Sequence, residues 1–157
     1  LALAKIVTAV ATRLEAVASV RNVYDYLREA KDGKKFIDLF QDKEGLKNLH
    51  TWMITRERTD KKDEGISLTR HTHHIVMMGY FAVNDLQQSE TTFQGIIEDA
   101  CQAFDPLPLR QYTGTVAAGM VDWSQPVQVE GPTVLMYGNY LVHAVKLLHK
   151  VEELVYS

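Results

Sequence analysis

Two strand-like runs flank a short charged segment near the middle of the chain, and their length constrains the fold more than any other feature. Over residues 49–58, Trp52, Ile54 and Arg56 alternate with Thr51, Met53 and Thr55, the period-two pattern of a strand. Residues 59–65 read TDKKDEG, which predicts a charged turn. Residues 66–83 form a second, longer run ending in HTHHIVMMGYFAV. Alternation and aromatic content make the pair an extended β-hairpin. Strands this long are hard for one domain of 157 residues to cover by itself. The pattern points to a building block that completes its structure against copies of itself.

Helical periodicity appears on both sides of the hairpin. Ile6, Val10, Leu14 and Val17 share one face while Thr8, Arg13 and Glu15 fall elsewhere, predicting an opening helix of about four turns. Residues 20–27 follow, with Val23, Tyr24 and Tyr26 favouring a short strand. Asp32-Gly33 signals a turn; Phe36, Ile37, Leu39 and Phe40 suggest a short helix or turn with its aromatics inward; residues 42–47 read as polar loop. Past a polar break at 84–88, Ser89 is suited to cap a helix, with Glu90 in the first turn. Phe93, Ile96, Ile97, Ala100, Cys101 and Phe104 then define the clearest helix in the chain. Asp105-Pro106 stops it.

The rest is mostly strand-like. Residues 112–123 predict a strand whose Gly114 and Gly119 imply bulges. Pro126 and Gly131-Pro132 bracket a short segment at 127–129. Residues 141–155 fit either period. Leu141, Val145, Leu148 and Glu152 suit a helix, whereas Tyr140, Val142, Ala144 and Leu148 suit one strand face. Gly138 and the valine and aromatic content favour strand as far as His149. The predicted class is α/β, of the α+β kind. One domain spans 1–157, with a mixed, mainly antiparallel sheet, two main helices packed on one face, and the extended hairpin.

Composition narrows the function classes. A hydrophobic share of 46% supports a true core. A net charge of −3 gives no general attraction to nucleic acid. With one cysteine, Cys101, no intrachain disulfide forms. On the apolar helix face, Cys101 is expected to be a buried small hydrophobe. No apolar run approaches the roughly 18 residues needed to span a bilayer. Residues 1–20 lack the order of a signal peptide. A reducing cytosol is the expected site of synthesis.

The histidines of Arg70-His71-Thr72-His73-His74 are the sharpest chemical cluster. On a strand, His71 and His73 project to one face and could share a metal with a third ligand, His50 on the partner strand. That would make a three-histidine zinc site, or with a carboxylate a two-histidine iron site. HExxH and CxxC motifs are absent, and strand histidines beside Thr and Arg are more often surface or interface residues. The expectation is therefore no metal and no cofactor. Nor does a catalytic motif appear: there is no GxSxG, no GxGxxG and no GxxxxGK[ST]. Asp99, Asp105, Glu152 and Glu153 show no acid–base pairing. Trp52 and Trp123 read as core or interface rather than base-stacking residues, since no basic patch accompanies them. No enzyme is expected. Lys61, Lys62, Asp63 and Glu64 are either a solvated tip or a contact arm. As an arm, residues 60–65 are expected to be mobile in a free subunit and ordered in an assembly.

The order of elements carries a family resemblance. A helix leads to Arg21-Asn22-Val23-Tyr24. A strand with Trp52 and Ile54 ends in the charged hairpin. The return strand holds His74-Ile75-Val76-Met77-Met78-Gly79-Tyr80. Ser89 then opens a helix with Phe93-Gln94-Gly95-Ile96-Ile97, and a last strand after Gly138 includes Leu141 and His143. Over almost its whole length the chain resembles the tail terminator, or tail-completion, proteins of long-tailed bacteriophages, the lambda-type terminators. The resemblance implies a structural virion protein that forms a homo-hexameric ring, caps the tail tube, ends tail polymerisation and meets the head connector. Its implied partners are copies of itself, the major tail tube protein and a head-completion or connector protein. Genomic DNA passes through the lumen without specific binding, and no membrane is involved. The implied location is the tail or neck of the virion, after assembly in the host cytoplasm. Lys61, Lys62, Asp63, Glu64, Arg56, Arg58, His71 and His73 become subunit-interface candidates. Other connector, head-completion or tail-tube proteins are the nearest alternative. A small metal-dependent enzyme and a monomeric host binding module are the remaining ones.

Overall fold

Charge does not end the first long strand. In the structure, a computed structural model describing residues 2–27, 49–84, 88–104, 121–122, 126–137 and 140–156, strand β2 runs from His50 to Gly65 and β3 from Leu68 to Ala82. The expected turn at 59–65 is therefore corrected. Lys61 pairs with His71, Lys62 with Arg70 and Asp63 with Thr69, inside the ladder. The tight turn lies at Gly65, Ile66 and Ser67. Gly65 and Ser67 take positive φ there, 134° and 62°, which glycine tolerates without steric cost.

The remaining elements are α1 (Ala2–Glu15), β1 (Val23–Tyr24), α2 (Ser89–Ala103), β4 (Val121–Asp122), β5 (Gln128–Tyr137) and β6 (Tyr140–Tyr156). The sheet has the order β1-β2-β3-β6-β4, with β5 also on β6. The β1–β2 pair is parallel and the others are antiparallel. The fold is α+β, as expected. Strand β3 pairs along its whole length with β6, from Leu68 opposite Tyr156 to Ala82 opposite Val142. This settles the ambiguous C-terminal stretch as strand, and carries it past His149 to Tyr156.

Both helices contribute to one core on one sheet face. Ile6, Val10 and Leu14 of α1 and Phe93, Ile97 and Ala100 of α2 join Trp52, Ile54, Ile75, Met77, Val145, Leu147 and Val151. Each fully buried side chain of this size contributes about 1.5–3 kcal/mol. Trp52 is wholly buried, and Gly79 lies directly opposite it in the ladder. A Cβ on Gly79 would come within 2.6 Å of the indole ring. The glycine gives the ring its room.

Several smaller expectations change. Helix α1 ends at Glu15, so Val17 lies beyond it. Strand β1 is limited to Val23–Tyr24. Ser89 does not cap α2. The cap position is Gln88, in a left-handed conformation and without a side-chain cap bond. The Ser89 hydroxyl instead accepts the Asn84 amide at 2.8 Å and bonds His143 Nε2 at 2.8 Å. Cys101 is only half-buried, packed against the core's edge, and Ala100 takes the buried position. Strand β5 runs through Gly131-Pro132 with a register shift between Glu130 and Thr133, rather than stopping there. Asp32-Gly33, Phe36 to Phe40, residues 42–47, Asp105-Pro106, Trp123 and most of 112–123 lie outside the described residues. No helix among the described residues is long and apolar enough to cross a membrane.

Candidate functional site

One extra residue decides what the outer half of the hairpin presents. The ladder shifts register between Arg56 and Arg58, leaving Glu57 as a β-bulge with no opposite number. Before the bulge, even-numbered residues of β2 face the helices. After it, odd-numbered ones do. Arg56 stands opposite Ile75 and Arg58 opposite His74, so two arginines at strand spacing fall on opposite faces. Thr59, Lys61, His71, His73 and Glu153 share the face that continues from the core. Arg58, Asp60, Lys62, Glu64, Arg70, His74 and Glu152 share the other.

That other face is a lattice of ion pairs. Asp60 meets His74 Nε2 at 2.8 Å and Arg58 at 3.3 Å. Glu64 meets Arg70 at 2.9 Å and Lys62 at 3.6 Å, and Arg70 reaches Glu152 at 3.1 Å. Hydrogen bonding from His74, with Arg58 beside it, lowers the Asp60 pKa; hydrogen bonding from Arg70 lowers that of Glu64. Exposed pairs of this kind each add little stability, but together they give adjacent strands complementary charge, which is why a charged sequence continues the strand here.

The core-side face is different in kind. His73 and Glu153 are 4% and 3% exposed. His73 Nε2 lies 3.3 Å and His71 Nδ1 3.7 Å from the same oxygen, Glu153 Oε1. The Thr59 hydroxyl bonds His73 Nδ1 at 2.9 Å. Burial lowers the His73 pKa, against the opposing pull of Glu153. The three ligating atoms all lie within 4.8 Å of one another.

The candidates named from sequence thus divide. His71 and His73 come together, as their spacing predicts. His50 is not their third partner: it sits opposite Phe81, accepts the Trp52 indole N–H at 3.0 Å and packs edge-on against Phe81. Glu153, set aside in the sequence for want of a partner, takes that position. Nothing local signals it, because the contact spans 80 residues of chain. Arg58, Lys62 and Glu64 are engaged within the chain, Asp63 accepts the Gly65 amide at 3.0 Å, and Arg56 reaches Thr59. Lys61 makes no ion pair among the described residues. The buried Ser89–His143 contact ties residue 84 to the start of α2. Both side chains are 5% exposed.

A scan of protein-family models finds no match to this chain, and a search of curated proteins finds none either.

Proposed function

We propose that this chain is a structural subunit that closes into a ring and acts as a tail terminator of a long-tailed phage, ending tail polymerisation and meeting the head connector. One observation carries the assembly part of this reading. Strand β1 covers only Trp52 and Met53 of β2, so among the described residues the outer edge of β2 over 54–65 has no partner strand. An open edge of that length is a template for pairing with another chain. Its charges, with Lys61 unpaired among the described residues, favour a complementary neighbour and disfavour indiscriminate stacking. The element order that resembles the terminators supports the specific role.

The test is native mass spectrometry and sedimentation of the wild type and of a Lys61→Glu/Lys62→Glu variant, paired with a head–tail joining assay. The expected result is a closed hexameric ring for the wild type, with ring closure and joining both weakened in the variant. A wild type that stays monomeric on isolated tails overturns the reading. A variant that closes rings and joins heads as well as the wild type removes this edge from the interface.

A further inference from the structure

His71, His73 and Glu153 lie beyond Ile75 and Val151, the last core-cluster residues of β3 and β6 in that direction. A carboxylate shared by two imidazoles is unremarkable at the surface, but here Glu153 is buried and its second oxygen, Oε2, has no hydrogen-bond partner among the described residues. A buried carboxylate oxygen without a partner is costly, and an ion is one of the few ways to satisfy it. The spacing suits one. Zinc-class ions hold imidazole nitrogen and carboxylate oxygen at about 2.0–2.2 Å, so neighbouring tetrahedral ligands stand roughly 3.3–3.5 Å apart. The two histidine nitrogens stand 3.3 and 3.7 Å from Glu153 Oε1.

The supporting contact is also present. A histidine that binds metal through one nitrogen generally donates its other N–H to an oxygen, which fixes tautomer and ring angle. Thr59 Oγ1 lies 2.9 Å from His73 Nδ1 and can accept that proton, leaving Nε2 and its lone pair directed at Glu153. Thr59 occupies this place because the Glu57 bulge reverses the facing of β2. Two nitrogens and one carboxylate form a donor set for divalent first-row transition ions rather than for calcium or magnesium, which take oxygen ligands.

We propose that His71, His73 and Glu153 bind one divalent transition-metal ion of the zinc class, which clamps β3 to β6 at the outer end of the sheet. The proposal is independent of ring formation. Three protein ligands leave a fourth position for water or a side chain from another chain.

The test uses the full chain, stripped with a chelator and dialysed, then titrated with Zn²⁺ alone by calorimetry and with Co²⁺ followed by visible absorption. The expected result is one ion per chain. Glu153→Gln and His71→Asn each weaken binding at least tenfold, and Thr59→Val weakens it about tenfold. His74→Asn, on the opposite face, binds as the wild type does. Zn²⁺ raises the melting temperature of the wild type but not of His71→Asn. If Glu153→Gln fails to fold, the half-buried His71 variant decides alone. Absence of saturable binding at one ion per chain overturns the proposal and leaves a buried histidine–carboxylate contact. Equal losses in His71→Asn and His74→Asn also overturn it, since surface histidines are then the binders.

Discussion

Gly79 and Trp52 show how one residue sets a local packing limit. The indole ring lies against the glycine, and a methyl group there has nowhere to go without moving a wholly buried ring. Overpacking of this kind costs about 1–3 kcal/mol. Gly79→Ala is therefore expected to lower unfolding stability by that amount in urea denaturation, with a shifted Trp52 fluorescence maximum; a loss below a few tenths shows that the ring yields freely. His149 carries a second residue-scale consequence. It is 1% exposed against Phe104, and burial lowers its pKa from 6.5 to about 4. Folded protein keeps it neutral where the unfolded chain already binds a proton. Its contribution is complete above pH 6.5, falls as pH is lowered toward 4, and levels off below that. The full span is about 3 kcal/mol. His149→Leu should flatten the stability–pH profile across this interval; an unchanged slope would assign the pH dependence to other groups.

At the scale of elements, the Glu57 bulge links the two faces of the hairpin. Deleting Glu57 removes the extra residue and should leave Arg56 opposite Ile75, Arg58 opposite His74 and Thr59 opposite His73, so that the Thr59–His73 bond survives. The expected result is a stability change below about 1 kcal/mol with an unchanged His73 imidazole environment by NMR; altered His73 shifts would mean that the outer hairpin has slipped register. The bulge also marks a limit of sequence reading. Alternation at Trp52, Ile54 and Arg56 made the strand legible, and the 3.6 periodicity from Phe93 to Phe104 made α2 legible. Residues 59–64 read as a turn because a single sequence shows charge but not the opposite charges across the ladder that satisfy it. Ser89 carries the right chemistry for a cap, yet its hydroxyl is taken by His143 and Asn84. Glu153 had no local signal at all. Register, unlike periodicity, depends on a pairing between strands far apart in the chain.

At the scale of the whole molecule, β3 is buried in the sheet between β2 and β6, and the periphery carries the exposed apolar surface. Val129, Val134, Leu135 and Met136 of β5 and Leu141 of β6 are all substantially exposed. Together with the β2 edge, which has no partner strand over 54–65 among the described residues, they make the two flanks of the sheet unlike each other, one charged and one apolar. A head-to-tail ring joins unlike surfaces, so the proposed hexamer should lose subunits in high salt, by native mass spectrometry, if the charged flank dominates the contact. Ring mass unaffected by salt would move the principal contact to the apolar flank. The central position of β3 also has a consequence for how the chain comes to exist. During synthesis, the hairpin leaves the ribosome long before β6, the last described strand to be made. Until β6 arrives, β3 has one bare edge, and its histidines and apolar residues lack their covering. Pairings over such separations in sequence form slowly, and an open strand edge invites association with other nascent chains. The interval between making β3 and making β6 is therefore the part of synthesis in which this edge of β3 stands without its partner strand.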